Sequence, residues 1–489
     1  MMNWKMWQKC VGKMGKKLPI FLFIFILLYV IGSLICYPML TKRHVLKQKE
    51  KYAEQAAKET VDRSASVRCL DDNTQALVYR LALIESAQRE LIMTTFDMSD
   101  GESGQDLMAA MLQAADRGVR IRLMVDGINA WLKLEKSDLF GAFSTHPNIE
   151  IRFYNPIRLT KLWKLNYRMH DKYLIADDTA YILGGRNSNN LFLGAYRDTY
   201  NIDRDLYVLE RTEKNASDVM QKKERNSLQD IKAYFEKIWV QPDQKIFRKK
   251  ETEKTKEGLA LLRGHYKELQ TAYPGAFSET ETLLTQDLIR VDSIQFLHNP
   301  LYADEKVPVV YQRICQEMEQ GETILIQTPY IICDKGMYQD LSELCRAGKQ
   351  IEIITNAVES GANPWGCTDY LNEKKSILKT GAGVYACMAG QSLHTKTVLI
   401  DDETSIVGSY NLDLRSTYLD TELMLLVKSK ELNKQLRDQA AAYQEKSVYE
   451  KAGKPSRTGS LYEKKEMSGM QKVIYSILRI LIRPIREVL

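Results

Sequence analysis

The hydrophobic pattern of the chain predicts strands that alternate with helices. Asp72 can cap a helix in which Leu77, Leu81 and Ile84 keep helical spacing. The further elements predicted in the first half are strands at 91–96, 119–125 and 149–154, and a helix at 105–117 that Gly118 ends.

The same order of elements returns in the second half of the chain. A strand at 323–328 precedes a helix at 337–347 that Gly348 ends, and strands follow at 351–355 and 384–387. Alternating strands and helices are typical of α/β folds, and the shared order predicts two copies of one unit.

An uncharged apolar run covers residues 18–40. As a helix rising about 1.5 Å per residue, it is long enough to cross a hydrocarbon core of roughly 30 Å. A secretory signal peptide is the alternative, but the run is longer than a usual signal core and no A-x-A site follows it. We therefore expect one uncleaved transmembrane helix, with Trp4, Trp7 and Tyr37 at the interfaces. Lysines on both sides of the run leave its orientation open.

Two further segments are rich in charge. Residues 42–66 resemble a helical stalk or a hydrated linker, and residues 211–290 are charged and mostly helical. Within the second segment Ser227 begins a helix that Pro242 ends, and the run 248–257 is predicted to be a solvated loop.

The end of the chain, from Val473 to Leu489, forms an amphipathic pattern. On a helical wheel its apolar residues lie on one side, and Lys472, Arg479, Arg483 and Arg486 cluster on the other. Such a basic amphipathic helix suits an anionic membrane interface. The alternative is a terminal helix packed on the body of the protein, and Pro484 would kink either version.

Together these patterns divide the chain into seven segments. They are a basic N-terminal segment (1–17), a transmembrane helix (18–40), a charged linker (41–68), a first repeat (69–210), a charged helical insert (211–290), a second repeat (291–430) and a tail with a basic amphipathic helix (431–489).

The net charge of +6 over 489 residues is unevenly distributed. Residues 1–51 carry +9 and residues 468–489 carry +3, so the rest of the chain carries −6. The basic ends suit an anionic membrane surface, whereas the body does not have the charge of a general nucleic-acid binder. The eight cysteines form no CxxC pair, so we expect them to be free and mostly buried.

A motif that spans eighteen residues occurs twice, 224 residues apart. The first copy runs from His170 through Lys172 and Asp177 to Gly184-Gly185-Arg186-Asn187, and the second runs from His394 through Lys396 and Asp401 to Gly408-Ser409-Tyr410-Asn411. Both copies fit HxKx4Dx6GxxN and use two of only six histidines.

The residue types in this motif suit reactions at a phosphodiester. A neutral imidazole can approach the anionic phosphorus and form a phosphohistidine, and a second imidazole can protonate the departing alkoxide. Lys172 and Lys396 would neutralise the non-bridging oxygens. Asn187 and Asn411, with the Ser409 hydroxyl, can donate further hydrogen bonds to those oxygens.

Other positions of the motif have structural interpretations. Asp177 and Asp401 are expected to cap the turn after each strand, and Gly184, Gly185 and Gly408 are typical of turns. Acidic residues follow both copies, in Asp203-Arg204-Asp205 and Asp420-Thr421-Glu422, where a carboxylate can fix the tautomer of an imidazole. Neither histidine has the further ligands that a metal site requires, so we expect no metal and no cofactor.

These residues resemble the signature of the phospholipase D superfamily over about residues 69–430. Tyr154-Asn155-Pro156 and Leu165-Asn166-Tyr167-Arg168-Met169-His170 are similar to the lead-in of bacterial cardiolipin synthases of the cardiolipin synthase C type. Gly408-Ser409-Tyr410-Asn411-Leu412-Asp413-Leu414-Arg415-Ser416 is similar to their GSxNxDxRS segment. The chain differs from that subgroup in three features, which are the stretch Thr94-Thr95-Phe96-Asp97, the long segment 211–290 and the single transmembrane helix.

The resemblance implies two repeats, each a mixed β-sheet flanked by helices, packed with pseudo-twofold symmetry so that both histidines share one metal-free site. It also implies that His170 is the nucleophile, that His394 acts as acid and then base, and that Glu422 and Asp205 orient the imidazoles.

The leading hypothesis is a single-pass membrane phosphatidyltransferase that makes cardiolipin through a phosphohistidine. Its expected partners are phospholipid substrates and the cell membrane; no nucleic acid is expected, and the sequence identifies neither a protein partner nor the side of the membrane that holds the site. The alternatives are a phospholipase D-type hydrolase, a membrane-anchored nuclease and an inactive scaffold.

Overall fold

The structure is a computed structural model that describes residues 20–47, 65–210, 226–302 and 306–489. Its strands are β1 (Ser66–Leu70), β2 (Glu90–Thr95), β3 (Arg120–Asp126), β4 (Ile149–Tyr154), β5 (Tyr173–Ala176), β6 (Ala180–Gly184), β7 (Asn201–Ile202), β8 (Asp205–Leu209), β9 (Lys245–Phe247), β10 (Ile289–Arg290), β11 (Ser293–His298), β12 (Thr323–Gln327), β13 (Ile331–Ile332), β14 (Gln350–Asn356), β15 (Gly383–Cys387), β16 (Ser392–Leu393), β17 (Thr397–Ile400), β18 (Thr404–Gly408), β19 (Leu412–Asp413), β20 (Leu423–Lys428), β21 (Ser447–Glu450) and β22 (Arg457–Thr458).

The helices are α1 (Ile20–Leu46), α2 (Asn73–Ser86), α3 (Glu102–Asp116), α4 (Gly127–Lys133), α5 (Asp138–Phe143), α6 (Ser227–Trp239), α7 (Glu253–Ala272), α8 (Pro274–Phe277), α9 (Thr280–Thr285), α10 (Val309–Gln320), α11 (Lys335–Arg346), α12 (Pro364–Lys379), α13 (Leu414–Tyr418), α14 (Lys430–Gln444) and α15 (Gly469–Leu481). Single 3₁₀ segments cover Leu159–Lys164 and Arg483–Val488.

Two nine-stranded sheets repeat one strand order. The first runs β10-β1-β8-β6-β5-β2-β3-β4-β9 and the second runs β11-β20-β18-β17-β12-β14-β15-β21-β22. In each sheet three neighbours are parallel, β2-β3-β4 and β12-β14-β15, and the other pairs are antiparallel. The predicted α/β fold with two repeats, each a mixed sheet flanked by helices, is therefore confirmed.

The sheets pack face to face through apolar residues from both halves. Leu183 and Leu206 of the first sheet and Val407 and Leu425 of the second belong to one buried cluster. The opposite face of each sheet is covered by helices that form a separate core. This central layer brings the ends of equivalent strands from the two halves together.

The strand order extends each repeat beyond the boundary expected from the sequence. Helix α6 and strand β9 follow β8 in the same way that α14 and β21 follow β20, and both strands join their sheets next to equivalent neighbours. We therefore propose that the first repeat reaches residue 247 and the second residue 450, rather than 210 and 430.

The remainder of the charged segment is helical and packs on the first repeat. Helix α7 contacts α3 and α5, burying Leu262, Tyr266 and Leu269. The prediction that residues 248–257 form a loop is wrong from Glu253 onwards, because Thr252 caps α7 there. Residues 211–225 lie outside the described part of the chain.

Helix α1 is the one helix among the described residues that is long and apolar enough to cross a membrane. Ile20–Leu28 are between 44% and 68% exposed, whereas Ser33, Pro38 and Val45 are buried against the body. Lys42 pairs with Asp334 at 2.8 Å. The apolar run predicted at 18–40 therefore divides into a free stretch and a stretch that packs on the protein. Residues 1–19, including Trp4 and Trp7, and linker residues 48–64 lie outside the described ranges.

Helix α15 has two different apolar sides. Tyr475 and Ile482 are buried, and Leu478 packs against the core of the second half. The apolar residues that remain exposed are Met470, Val473, Ile474, Ile477, Ile480 and Leu481. The helix therefore packs on the body along one side, as in the alternative interpretation, and still presents an apolar stripe. It ends before Pro484.

Candidate active site

The two histidine motifs stand at the starts of equivalent strands. His170 and Lys172 precede β5, and His394 and Lys396 precede β17. Strand β5 pairs with β2 and β6, and β17 pairs with β12 and β18, so both motifs lie near the middle of their sheets. Each sheet thus presents a histidine and a lysine at the same end.

His170 is held by the second half of the chain. Met169 forms a parallel β-bridge with Thr421, and the backbone N–H of His170 donates to the Thr421 hydroxyl at 3.1 Å. The residues that follow this bridge are His170 and Glu422, and Nδ1 of His170 lies 2.9 Å from Oε1 of Glu422. The bridge therefore fixes which carboxylate reaches this imidazole.

His394 is held by the first half in the same manner. Strands β7 and β16 pair across the halves, and the N–H of His394 donates to the carbonyl of Ile202 at 2.7 Å. The next residue, Asp203, places Oδ2 2.5 Å from Nδ1 of His394. Each imidazole is thus oriented by a carboxylate from the opposite repeat.

The carboxylate beside His394 is Asp203, which corrects the prediction of Asp205. Asp205 instead binds Arg80 at 2.9 Å and Arg186 at 3.4 Å. The sheet register explains the difference. Gly184 pairs with Asp205, whereas the equivalent Gly408 pairs with Met424. Counting two residues back from Asp205 and from Met424 reaches Asp203 and Glu422.

The residue after each of these glycines, Gly185 or Ser409, lies beside the carboxylate that orients the imidazole. A Cβ atom on Gly185 would lie 2.4 Å from Oδ1 of Asp203, so no side chain fits there. At the equivalent position Ser409 donates its hydroxyl to Glu422, which also accepts a 2.6 Å hydrogen bond from Ser416. Ser409 therefore positions Glu422 and does not point at substrate oxygens as predicted.

The two lysines lie beside the histidines and are almost fully buried. Nζ of Lys172 donates to the carbonyl of His170 at 2.6 Å and lies 5.3 Å from the centre of the Phe96 ring. Lys396 contacts the carbonyl and ring of His394, and its Nζ lies 3.6 Å from Asp203. Both ammonium groups are therefore held at the two imidazoles.

The charges of the two halves act on one another. Burial, reinforced by Lys172 and Lys396, holds the pKa of His170 well below its usual value. Burial and Lys396 lower the pKa of His394 to about 4, against the opposing effect of Asp203, and Lys172 adds to this shift. The lysine of each half lowers the pKa of the histidine of the other. The β-bridge at Met169 and the pairing of β7 with β16 bring both motifs to the junction of the two halves, which forms the pocket. Both imidazoles are neutral at pH 7 before an anion binds.

The pKa values of the lysines are also lowered. Burial brings the pKa of Lys172 to about 7, with Glu422 opposing the shift and Lys396 adding to it. Burial brings the pKa of Lys396 to about 8, against the attraction of Asp203 and Glu422. An anionic phosphate in the pocket would favour the protonated form of both lysines.

Two amide oxygens of the repeated motif lack hydrogen-bond partners among the described residues. Oδ1 of Asn187 and Oδ1 of Asn411 are buried without a hydrogen bond. Asn411 is held through its backbone N–H, which donates to the Ser416 hydroxyl at 3.2 Å. Unpaired buried polar atoms are costly, so these amides suit contact with a polar ligand.

Asp177 and Asp401 lie at the far ends of β5 and β17. Asp177 accepts hydrogen bonds of 2.9 Å from the backbone N–H groups of Arg89 and Glu90. Asp401 accepts a 2.8 Å hydrogen bond from the N–H of Thr323. Both residues adopt positive φ angles, 52° and 48°. These carboxylates anchor the neighbouring strands β2 and β12 and do not contact the histidines.

Sequence reasoning gave no role to the aromatic residues at the pocket. Phe96 meets the His170 ring edge-on at 5.1 Å between ring centres, and Phe192 meets the His394 ring at 5.0 Å. Each imidazole therefore packs against one aromatic ring. No spacing in the sequence links Phe192 to the second motif.

Substitution of Asp205 by asparagine is expected to lower stability more than catalysis. Asp205 is fully buried between Arg80 and Arg186, and the loss of one partner of a buried ion pair typically costs about 3–5 kcal/mol. Thermal unfolding of the detergent-solubilised protein should show this loss, while activity per folded molecule stays within about tenfold of the parent. An unchanged melting temperature would contradict the assignment.

No group of three or more His, Cys, Asp or Glu residues arranged to hold a metal ion occurs in the described ranges. The seven cysteines in those ranges are free.

The family model for the cardiolipin synthase, PLD-like domain matches residues 81–239 and 314–443, which include both histidine motifs. The chain is 26% identical over 399 residues to cardiolipin synthase C of Escherichia coli, covering 74% of this chain and 81% of that protein. It is 24% identical over 367 residues to the major cardiolipin synthase ClsA of Bacillus subtilis, covering 73% of this chain and 64% of that protein.

Among solved structures, a phosphatidylserine synthase of Haemophilus influenzae matches with a TM-score of 0.59 and 16% identity. The match covers 90% of this chain and all of that one. At this level of identity the similarity shows a shared fold.

Proposed function

Because this chain belongs to the family of the cardiolipin synthase, PLD-like domain, we propose that it is a membrane-bound phosphatidyltransferase of the cardiolipin synthase type. It transfers a phosphatidyl group from one phospholipid to His170 and then to a hydroxyl of a second lipid. The observation that carries the proposal is the pair of imidazoles, each oriented by a carboxylate of the opposite half beside a buried lysine.

In the first step Nε2 of His170 attacks the phosphorus. The Nδ1–H group of His170 donates to Glu422, so the lone pair is on Nε2, which is free to react. Binding of the anionic phosphate favours protonation of His394, which then carries a proton on Nε2. The new P–N bond forms as the P–O bond to the headgroup alcohol breaks, and protonated His394 donates this proton to the departing oxygen. Asp203 stabilises the protonated form of His394 needed for this step.

In the second step a lipid hydroxyl attacks the phosphohistidine. Its oxygen bonds to phosphorus, the P–N bond to His170 breaks, and His394 takes the hydroxyl proton, which restores both residues. Water in place of the lipid hydroxyl would release phosphatidic acid, the reaction of a hydrolase. The residues of the pocket permit either acceptor, so exclusion of water decides the outcome.

Lys172 and Lys396 hold the non-bridging phosphate oxygens, where negative charge increases in the transition state. The side-chain NH₂ groups of Asn187 and Asn411 donate hydrogen bonds to the same group. All four residues come from the repeated motif, two from each half, so the phosphate lies at the junction of the two repeats.

The enzyme is held at the membrane by both ends of the described chain. The exposed apolar stretch Ile20–Leu28 enters the bilayer, and the apolar stripe of α15 lies on its surface. Lys42 joins these ends, because it pairs with Glu487 at 2.6 Å and with Asp334 at 2.8 Å. The catalytic body is therefore fixed close to the lipid surface.

The pH dependence should show an alkaline limb from the lysines. Only the protonated lysine neutralises phosphate, so kcat/KM is expected to fall as pH rises through about 7 to 8, the pKa values of Lys172 and Lys396. Lys172→Arg should move this limb upward, because a guanidinium does not lose its proton in this range. The measurement is kcat/KM in mixed micelles across the neutral range; a constant value across it would refute the assignment.

The proposed reaction is tested with detergent-solubilised protein and labelled phosphatidylglycerol, alone and with phosphatidylethanolamine. Labelled cardiolipin is the expected product. Formation of phosphatidic acid alone would assign a hydrolase instead. Lipid extracts from cells with and without the gene then identify the donor and acceptor lipids.

A further inference from the structure

Three cations converge on a single carboxylate beside the 3₁₀ segment Leu159–Lys164. Arg158 and Lys161 lie 3.1 and 2.7 Å from Oδ1 of Asp243, and Lys164 contacts Oδ2. Burial alone would raise the pKa of Asp243, but hydrogen bonds from the two lysines lower it, so the carboxylate is ionised. The cluster therefore carries two uncompensated positive charges.

The cluster is accessible from outside. The side chains of its three cations are between 34% and 40% exposed, whereas that of Asp243 is 16% exposed. The nearby Lys245 is neutralised by Glu135 and adds no net charge. The excess charge is thus presented to the surroundings and is not buried in the fold.

The same 3₁₀ segment lies against the candidate membrane helix α1. The Tyr29 hydroxyl donates to the carbonyl of Leu159 at 2.9 Å, and the Asn166 amide donates to the carbonyl of Leu34 at 2.8 Å. Tyr29 follows directly after the exposed apolar stretch Ile20–Leu28. Tyrosines prefer the level of the lipid headgroups, so the three cations stand at that level.

An exposed apolar surface lies next to the cation cluster. Leu159, at the start of the 3₁₀ segment, is 75% exposed. A groove of about 460 Å³ is lined by Trp131, Phe153 and Ile157, and also by Arg158 of the cation cluster. Its volume falls within the roughly 300–1,000 Å³ range of small-molecule sites. Arg158 therefore belongs both to the charged cluster and to the apolar groove.

We propose that this surface is a binding site for one anionic phospholipid of the leaflet next to α1, separate from the catalytic pocket. Arg158, Lys161 and Lys164 bind the headgroup phosphate, and an acyl chain lies in the groove beside Trp131. Arginine and lysine are the side chains that proteins use for phosphate, and an amphiphile alone satisfies both the charges and the apolar groove. The site does not depend on which reaction the histidines catalyse.

The test measures lipid binding without turnover. Full-length His170→Ala protein in neutral-detergent micelles is titrated with phosphatidylglycerol brominated on its acyl chains, which quenches tryptophan fluorescence on contact. Brominated phosphatidylcholine is the neutral comparison. The parent should prefer phosphatidylglycerol, and Trp131→Phe should remove part of the quenching.

Two changes of opposite charge distinguish the proposal from a structural role. Lys161→Gln/Lys164→Gln should weaken phosphatidylglycerol binding by more than tenfold, at roughly fivefold per cation removed. Asp243→Asn should strengthen it severalfold, because it adds one net positive charge. The matched control is Lys254→Gln/Lys256→Gln on α7, which should bind like the parent and whose melting temperature provides the reference for folding.

Three outcomes would overturn the proposal. They are unchanged binding in the double lysine variant with folding intact, weaker binding in Asp243→Asn, or full competition by inorganic phosphate at the same concentration as the lipid. The last result would assign the cluster to free phosphate. Because no turnover is measured, these outcomes are independent of the fate of the transferase assignment.

Discussion

His170→Ala is expected to lower turnover by at least about 10⁴-fold and to prevent any covalent phosphatidyl-enzyme from forming. The side chain of His170 supplies the attacking nitrogen, and no other imidazole in the described ranges contacts Glu422. Loss of a nucleophile leaves only binding and electrostatic stabilisation, which explains the size of the expected fall. The measurement combines steady-state rates with mass spectrometry at alkaline pH, where phosphohistidine survives.

His265→Ala is the matched control for this substitution. Its imidazole pairs with Asp106 at 2.7 Å on α3, so its loss should leave turnover within about twofold of the parent. His394→Ala should retain some phosphatidyl label on His170, because the nucleophile is intact. Label on His394 in the His170→Ala protein would reverse the two proposed roles.

Asp203→Asn is expected to lower kcat per folded molecule by about 10²- to 10⁴-fold. The carboxylate accepts from Nδ1 of His394 and so fixes which ring nitrogen faces substrate; an amide does not fix the tautomer. Asp203 also stabilises protonated Lys396, so the alkaline limb of kcat/KM should move to lower pH. The pH profile therefore separates this effect from a simple loss of structure.

Asp205→Asn is the control, two residues away in the same chain. It should lower stability but keep activity per folded molecule within about tenfold of the parent. If Asp205→Asn abolished catalysis while Asp203→Asn were harmless, the register that pairs Asp203 with Glu422 would be wrong. Glu422→Gln should behave like Asp203→Asn, because it affects His170 in the same way.

Much of the fold could be predicted from local pattern. The strand at 149–154 and the helix beginning at Ser227 lie where the sequence places them. Strict apolar spacing marks these elements, and the repeated motif identifies the two halves. The prediction of a loop at 248–257 is wrong from Glu253 onwards, because the apolar positions of helix α7 begin only after residue 257, with Leu259 and Leu262.

The carboxylate of His394 could not be chosen from local pattern. Asp203 and Asp205 are both acidic and both precede an apolar strand, as Glu422 does in the second half. The choice depends on how β8 pairs with β6, and a strand register is decided by contacts far apart in sequence. Aligning the glycines of both copies, rather than the acids, would have supplied the missing signal.

The role of Ser409 was missed for a related reason. A hydroxyl in a motif rich in hydrogen-bond donors is expected to face the substrate. The Ser409 hydroxyl instead donates to Glu422, and a Cβ atom at the equivalent Gly185 would meet Asp203. A serine can replace glycine where the opposing acid leaves room for one oxygen. The sequence alone does not show how much space each repeat leaves between this position and its carboxylate.

Each half supplies the carboxylate that orients the histidine of the other half, so catalysis depends on how the two halves are joined. A displacement of β7 against β16 by one residue is only about 3.3 Å, yet it would remove Asp203 from His394 while both sheets kept their cores. A substitution that shifts the pairing of β7 with β16 would therefore give a folded but inactive protein. Neither repeat, expressed by itself, would possess a properly oriented imidazole.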